Sequence, residues 1–199
     1  MPLLISDCEL FTLSDNDLIS NFECENSDLN DFFCNDALNY QKQLLGQTYF
    51  FKEKSTSEIV CAFTLSNDSI KMEALSGSTR KRVKSNIPHA KSMNSYPATL
   101  IGRFGVPTNF AGQGIGSQVM DFIKSICITE NANKCRFILV DSYNTEKATK
   151  FYTRNEFKYL FSDEIKEMEH YKKEVLNTRF MFFDLLTWID RLSPKEENI

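Results

Sequence analysis

The stretch Ala111-Gly112-Gln113-Gly114-Ile115-Gly116-Ser117 constrains this chain more than any other. Glycine is scarce, with only 7 in 199 residues, yet three fall on alternate positions here. The run before it, residues 98–106, is almost wholly apolar, is interrupted by Gly102 and Arg103, and stops at Pro107. It reads as a central strand buried on both faces. After the cluster, Val119, Met120, Phe122, Ile123, Ile126 and Cys127 recur at helical spacing. They predict an amphipathic helix from Ser117 to about residue 130. A strand, a glycine turn and a helix in this order form a phosphate cradle. The first amides of a helix lack backbone partners, the helix dipole favours an anion, and glycine lets the phosphate approach the main chain.

Several cradles share that outline. A P-loop needs Lys and then Ser or Thr after its last glycine, but Gly116 is followed by Ser117 and Gln118. A dinucleotide fingerprint needs glycine at the sixth position, which counted from Gly112 is Ser117. A tight turn ahead of a helix, with no ligand, is the plain alternative.

The rest of the chain reads as one mixed α/β domain over 199 residues, with no linker or repeat. Strands are expected at residues 8–13, 48–52, 59–65, 70–75, 137–140, 159–161 and 178–183. A short helical turn is expected at 16–22. Asp28 is read as the N-cap of a helix over 28–45, with Leu29, Phe32, Phe33, Ala37, Tyr40 and Leu44 on one face and Gly46 closing it. Asn144 is read as the cap of a helix bearing Ala148, Phe151 and Tyr152. Residues 76–95 are polar and basic, the best candidate for a long connection, and 189–199 are expected to fray. The 17 phenylalanines predict an aromatic core.

Charge and cysteine usage exclude several classes. The net charge is −4 and the pI about 5.3, so a uniformly basic nucleic-acid-binding face is not expected. Arg80, Lys81, Arg82, Lys84 and Lys91 form the one local basic patch. The six cysteines form no CxxC pair and the two histidines, His89 and His170, are scattered, so no metal site is expected. Reduced, buried thiols fit a cytoplasmic protein, with a nucleophilic Cys34 or Cys127 as the sharper alternative. The N-terminus lacks the basic and apolar regions of a signal peptide, and no run is long enough to span a membrane.

The glycine cluster resembles motif A of the GCN5-related N-acetyltransferase (GNAT) family, Gln/Arg-x-x-Gly-x-Gly/Ala, with Gly114 and Gly116 at the two small positions and Ala111 in place of Gln/Arg. Downstream, Ala148, Tyr152 and Phe157 match the family's Asn-x-x-Ala-x-x-x-Tyr-x-x-x-Gly-Phe. There Thr145 stands at the Asn position beside Asn144, and Glu156 replaces Gly, which a left-handed Asn155 would accommodate. The motif-bearing core covers about residues 59–183. The segments Leu29-Asn30-Asp31-Phe32-Phe33, Thr64-Leu65-Ser66, Leu100 to Val106, and Val140-Asp141 are similar to the toxin-like subgroup that acetylates aminoacyl-tRNA.

The resemblance implies a single-domain acyl-CoA N-acyltransferase fold with a splayed central sheet, and an enzyme moving acetyl from acetyl-CoA to a primary amine. It implies that Phe104, Gly105 and Val106 pair with the pantetheine arm and that Ala111, Gly112, Gln113, Gly114, Ile115, Gly116 and Ser117 hold the pyrophosphate, with Asn144 also at the cofactor. The Val106 amide would face the oxyanion, and the Tyr152 phenol, with an ordinary pKa near ~10, would protonate the leaving thiolate. Glu73, Asp141 and His89 are weighed as bases and none is assigned; Arg103 is expected to find a carboxylate partner. The acceptor stays open: a small or protein amine, or an aminoacyl-tRNA with an antitoxin as partner. A cofactor-binding module without turnover is the reading outside enzymology, permitted by Ala111 and Thr145.

Overall fold

A computed structural model describes residues 3–15, 19, 21–78, 80–81, 93–130 and 134–192. These cluster into two compact units, one of residues 1–67 with 100–123, the other of 68–99 with 124–199.

In the first unit, strands β1 (Cys8–Thr12), β2 (Gln47–Glu53) and β3 (Ile59–Lys71) pair antiparallel in sequence order. Cross-strand aromatic pairs set the register. Phe11 stands opposite Phe50 with ring centroids 5.7 Å apart, and Tyr49 opposite Phe63 at 5.3 Å. Of the strand expected at 70–75, only Ile70 and Lys71 are extended, as the end of β3, and the chain turns after them.

The helix expected at 28–45 is real but interrupted. Asn26, not Asp28, caps it: its side chain accepts from the amides of Asp28 (2.9 Å) and Leu29 (3.2 Å). Helix α1 (Ser27–Asp31) then widens into a π turn, Phe32–Asp36, before α2 (Ala37–Lys42). The wide turn carries the adjacent Phe32 and Phe33, both buried in the core. Leu29, Phe32, Phe33 and Ala37 pack there with Leu13, Ile19, Phe22 and Phe50. Leu44, not Gly46, takes the left-handed turn, at φ 59°. Gly46 is needed for closeness instead, since a Cβ there would meet Tyr40 at 3.0 Å and the Leu65 carbonyl at 3.1 Å. Of the turn expected at 16–22, residues 16–18 and 20 lie outside the described residues.

Strand β4 (Ser95–Gly105) and helix α3 (Ile115–Thr129) bracket the glycine cluster as expected, each starting a little earlier than the sequence suggested. Val119, Met120 and Ile123 are wholly buried, and Phe122 sets its ring edge-on to Phe51 at 5.1 Å.

In the second unit, β5 (Phe137–Tyr143) pairs antiparallel with β7 (Thr178–Asp184), which pairs antiparallel with β6 (Lys158–Tyr159). Between β5 and β6 lies α4 (Glu146–Arg154). Two helices escaped the sequence reading, α5 (Glu164–Tyr171) and α6 (Leu186–Leu192), the latter running into the stretch expected to fray, 189–199. Residues 82–92, with Arg82, Lys84, His89 and Lys91, lie outside the described residues. No helix among the described residues is long and apolar enough to cross a membrane.

Candidate functional site

The glycine turn is shaped by what its neighbours forbid and hold. Pro107 is buried and ends β4, because it has no N–H to offer a ladder. A single 3₁₀ turn, Thr108–Phe110, follows. Both the amide and the hydroxyl of Thr108 donate to the Glu23 carbonyl, at 3.0 and 3.3 Å, so the N-terminal segment clasps the loop. Gly112 and Gly114 then sit at φ 77° and 85°, a region that costs other residues about 1–2 kcal/mol. A Cβ built on either meets nothing within 4 Å, so the loop faces open space there. The Gln113 side chain donates to the Asn109 carbonyl at 2.8 Å and ties the loop across its base. Ile115 is 1% exposed and anchors the first helical turn in the core. Gln118 fastens the same turn from outside, accepting from the Ile5 amide (2.9 Å) and donating to the Leu3 carbonyl (3.2 Å). The result is a fixed turn whose exposed residues, Ala111 to Gly114 and Ser117, lead into a helix N-terminus.

The end of β4 leads into that loop. Gly105 is required by packing, since a Cβ would meet Phe22 at 2.8 Å and Phe33 at 3.4 Å. Phe104 and Val106, on either side of it, stay half-exposed. Arg103 corrects an expectation. It is exposed, has no carboxylate partner among the described residues, lies over the Phe32 ring at 5.0 Å, and donates from Nη1 to the Gly102 carbonyl at 3.0 Å. Its amide donates to the buried Thr64 hydroxyl at 2.8 Å. Thr64 is a positioning residue whose role only the register discloses.

In the second unit, α4 presents Tyr152 half-buried, with the Phe151 and Phe157 rings 5.2 and 5.6 Å away. The cap of α4 is Thr145, whose hydroxyl accepts from the Ala148 amide at 3.3 Å. Asn144 does not cap the helix. Its backbone amide and its Nδ2 donate to the carbonyls of Asn177 (2.8 Å) and Leu176 (3.0 Å), pinning the strand end. The left-handed residue at the other end is Glu156, at φ 68°, not Asn155, which stays at φ −87° and is buried. The amide of Phe157 reaches back to the Tyr152 carbonyl at 3.0 Å, closing a Schellman-type cap.

The Glu156 carboxylate accepts from both Nη atoms of Arg191 at 2.7 Å. Those hydrogen bonds keep the Glu156 carboxyl below the usual range, so the pair is intact at neutral pH and its contribution is lost as pH falls through the lowered pKa. Glu156→Ala loses the pair and keeps the backbone strain; Glu156→Gly loses the pair and sheds the strain. The Gly variant should therefore be more stable than the Ala variant by about 1 kcal/mol in urea unfolding. Equal stabilities would mean that residue 156 is not left-handed in solution.

The nucleophilic reading of Cys127 is not supported, since the residue is only 3% exposed. Burial pushes its thiol up to about 11, and burial likewise raises Cys61. Cys34 is half-buried, with its Sγ 3.7 Å from the Phe22 carbonyl. Among the described residues no cluster of His, Cys, Asp or Glu is arranged to hold a metal.

The expected residues thus fall into two groups. Phe104 to Ser117 form one continuous segment of the first unit, whereas Asn144 and Tyr152 belong to the second. No family model and no curated protein sequence matches the chain. Solved structures do match. AtaT complexed with acetyl-methionyl-tRNAfMet gives a TM-score of 0.70 at 21% identity, covering 94% of this chain and 100% of that one. A tyrosine-to-phenylalanine mutant of KacT gives 0.71 at 19%, covering 94% and 99%. AtaTR bound with AcCoA gives 0.64 at 20%, again covering 94% and 99%. The chain has the mixed α/β GNAT fold of these proteins, a seven-stranded sheet flanked by helices, which is the class its motifs predicted.

Proposed function

From the fold shared with AtaT and KacT, we propose that this chain is an N-acetyltransferase that moves acetyl from acetyl-CoA to a primary amine, acting as one domain over its 199 residues. The observation that carries the reading is the glycine turn. Two left-handed glycines open to solvent, tethered on both sides, lead into a helix N-terminus, which is what a pyrophosphate requires. In this reading the amides of Gly112, Gln113, Gly114, Ile115 and Gly116 bind the pyrophosphate, with Ala111 and Ser117 at the edges of the cradle. The main chain of Phe104, Gly105 and Val106 takes the pantetheine arm, and Asn144 holds the strand end beside the cofactor.

The neutral amine attacks the thioester carbonyl carbon, and the carbonyl oxygen gains the negative charge. The Val106 amide donates a hydrogen bond to that oxyanion. As the carbon–sulfur bond breaks, the Tyr152 hydroxyl gives its proton to the thiolate sulfur, and the proton shed by the nitrogen passes to solvent and restores the phenol. The free thiols of Cys8, Cys24, Cys34, Cys61, Cys127 and Cys135 suit a reducing cytoplasm.

The acceptor we favour is the amino group of an aminoacyl-tRNA, because AtaT is the neighbour solved with acetyl-methionyl-tRNAfMet. An antitoxin partner would accompany such an activity, since AtaT is also found bound to the C-terminus of the antitoxin AtaR. The chain's net charge of −4 gives a tRNA no general attraction, so contact must be local. Incubation with acetyl-CoA and a panel of small amines, peptides and charged tRNAs tests both levels. Free CoA release with at least one amine is expected, fastest with aminoacyl-tRNA. Acetyl-CoA bound without turnover on any acceptor would leave a binding module in place of an enzyme.

A further inference from the structure

A cavity of about 660 Å³ lies within the second unit, away from the glycine turn in sequence, and none of the roles above uses it. Arg80 forms part of its wall. Its Nη2 donates to the carbonyls of Glu73 (2.9 Å) and Leu75 (3.1 Å), which fixes the guanidinium plane. Both partners are neutral. The side chain is only partly exposed, its Nε is buried without a hydrogen-bond partner, and no carboxylate pairs with it among the described residues. A half-desolvated, immobilised and unneutralised cation is costly unless an anion completes it.

The cavity lining holds more donors. Lys166 reaches the Ser162 hydroxyl at 2.9 Å and the Asp163 carboxylate at 3.1 Å, and His170 lines the same cavity. Glu73 and Glu169 also line it, but both are exposed and neither pairs with Arg80. The immobilised Arg80 guanidinium and the exposed Lys166 ammonium suit a phosphodiester better than a carboxylate. A carboxylate would be matched by one bidentate arginine, whereas a phosphate offers oxygens in several directions.

We propose that this cavity binds a backbone phosphate of single-stranded RNA, giving an acidic protein the local contact its acceptor needs. The assignment rests on the aminoacyl-tRNA reading above and identifies where that acceptor is held. Fluorescence anisotropy of the full chain with a labelled single-stranded RNA oligonucleotide tests it, with acetyl-CoA calorimetry on the same samples. Arg80→Gln and Lys166→Gln should each weaken RNA binding about tenfold and reduce the salt slope by about 1, with acetyl-CoA affinity unchanged. Inorganic phosphate should compete poorly. Undiminished RNA binding in both variants overturns the proposal, as does absence of RNA binding by the wild-type chain. Competition by inorganic phosphate equal to that of RNA makes the cavity a simple anion site and also overturns it. Should Arg80→Gln fail to fold, Lys166→Gln decides alone, since that side chain is exposed and holds only Ser162 and Asp163. Acetyl-CoA binding without RNA binding defeats this inference and spares the acetyltransferase reading; RNA binding without acetyl-CoA binding does the reverse.

Discussion

Tyr152→Phe should lower kcat by roughly ten- to ten-thousand-fold, the usual range for losing a general acid, while leaving acetyl-CoA affinity nearly unchanged. The substitution is conservative in packing. The ring lies on α4 between Phe151 and Phe157, at 5.2 and 5.6 Å, and phenylalanine keeps those contacts. What disappears is the hydroxyl. Its proposed interaction strengthens only as charge grows on sulfur, so its loss appears in kcat and equally in kcat/KM, with little change in ground-state binding. A residue serving the core alone would give the opposite pattern, a small shift in Tm with full turnover. Steady-state kinetics beside thermal unfolding separate the two. A folded variant with wild-type kcat would remove Tyr152 from the chemistry and leave thiolate protonation to water.

The largest effect on stability is expected from Glu167→Ala. Glu167 is 1% exposed; it accepts from Arg179 Nε through Oε2 and from the Phe180 amide through Oε1 at 2.8 Å. Arg179 is itself 5% exposed and lies over the Tyr159 ring at 4.5 Å. Removing the carboxylate strands a buried guanidinium, leaving only the half-exposed Glu164 as a charged partner, and leaves a backbone amide without an acceptor. Breaking such a pair from one side costs about 3–5 kcal/mol, which for a chain of this length lowers Tm by roughly 10 °C. Glu167→Gln keeps both acceptor and shape and should lose distinctly less. Differential scanning calorimetry decides; a Tm within a degree or two of wild type for the Ala variant would show that the pair is solvated in solution.

That pair also marks the limit of what the sequence discloses. The glycine cluster was legible because three chemical constraints coincide in one short segment: an apolar strand before it, a helical stripe after it, and small residues between. The hairpin of β2 and β3 was legible from alternation and a polar turn. Helix α5 was not, because its buried position is a glutamate and its stripe is therefore broken to any reading by hydropathy. The π turn escaped too. Phe32 and Phe33 follow Leu29 at three and four residues, a spacing that a regular helix satisfies equally well, so the pattern carries no mark of the widened turn. At the end of α4, the expectation that Asn155 would be left-handed followed ordinary preference; the left-handed residue is Glu156, whose carboxylate pairs with Arg191, distant in sequence. Arg103 was expected to need a carboxylate because its neighbours are apolar, whereas its strand position carries it to the surface of Phe32.

The central claim is that the turn from Ala111 to Ser117 holds the acetyl-CoA pyrophosphate, and isothermal titration of acetyl-CoA against wild type, Gly114→Ala and Gly114→Glu tests it most directly. Both variants carry a Cβ at a left-handed position, so both bear the same backbone strain, and the open space at Gly114 lets each fold. Only the glutamate puts bulk and negative charge where the phosphates would lie. The account predicts binding by wild type, binding weakened but measurable in the Ala variant, and no detectable binding in a folded Glu variant. Equal acetyl-CoA affinity in wild type and folded Gly114→Glu would contradict it.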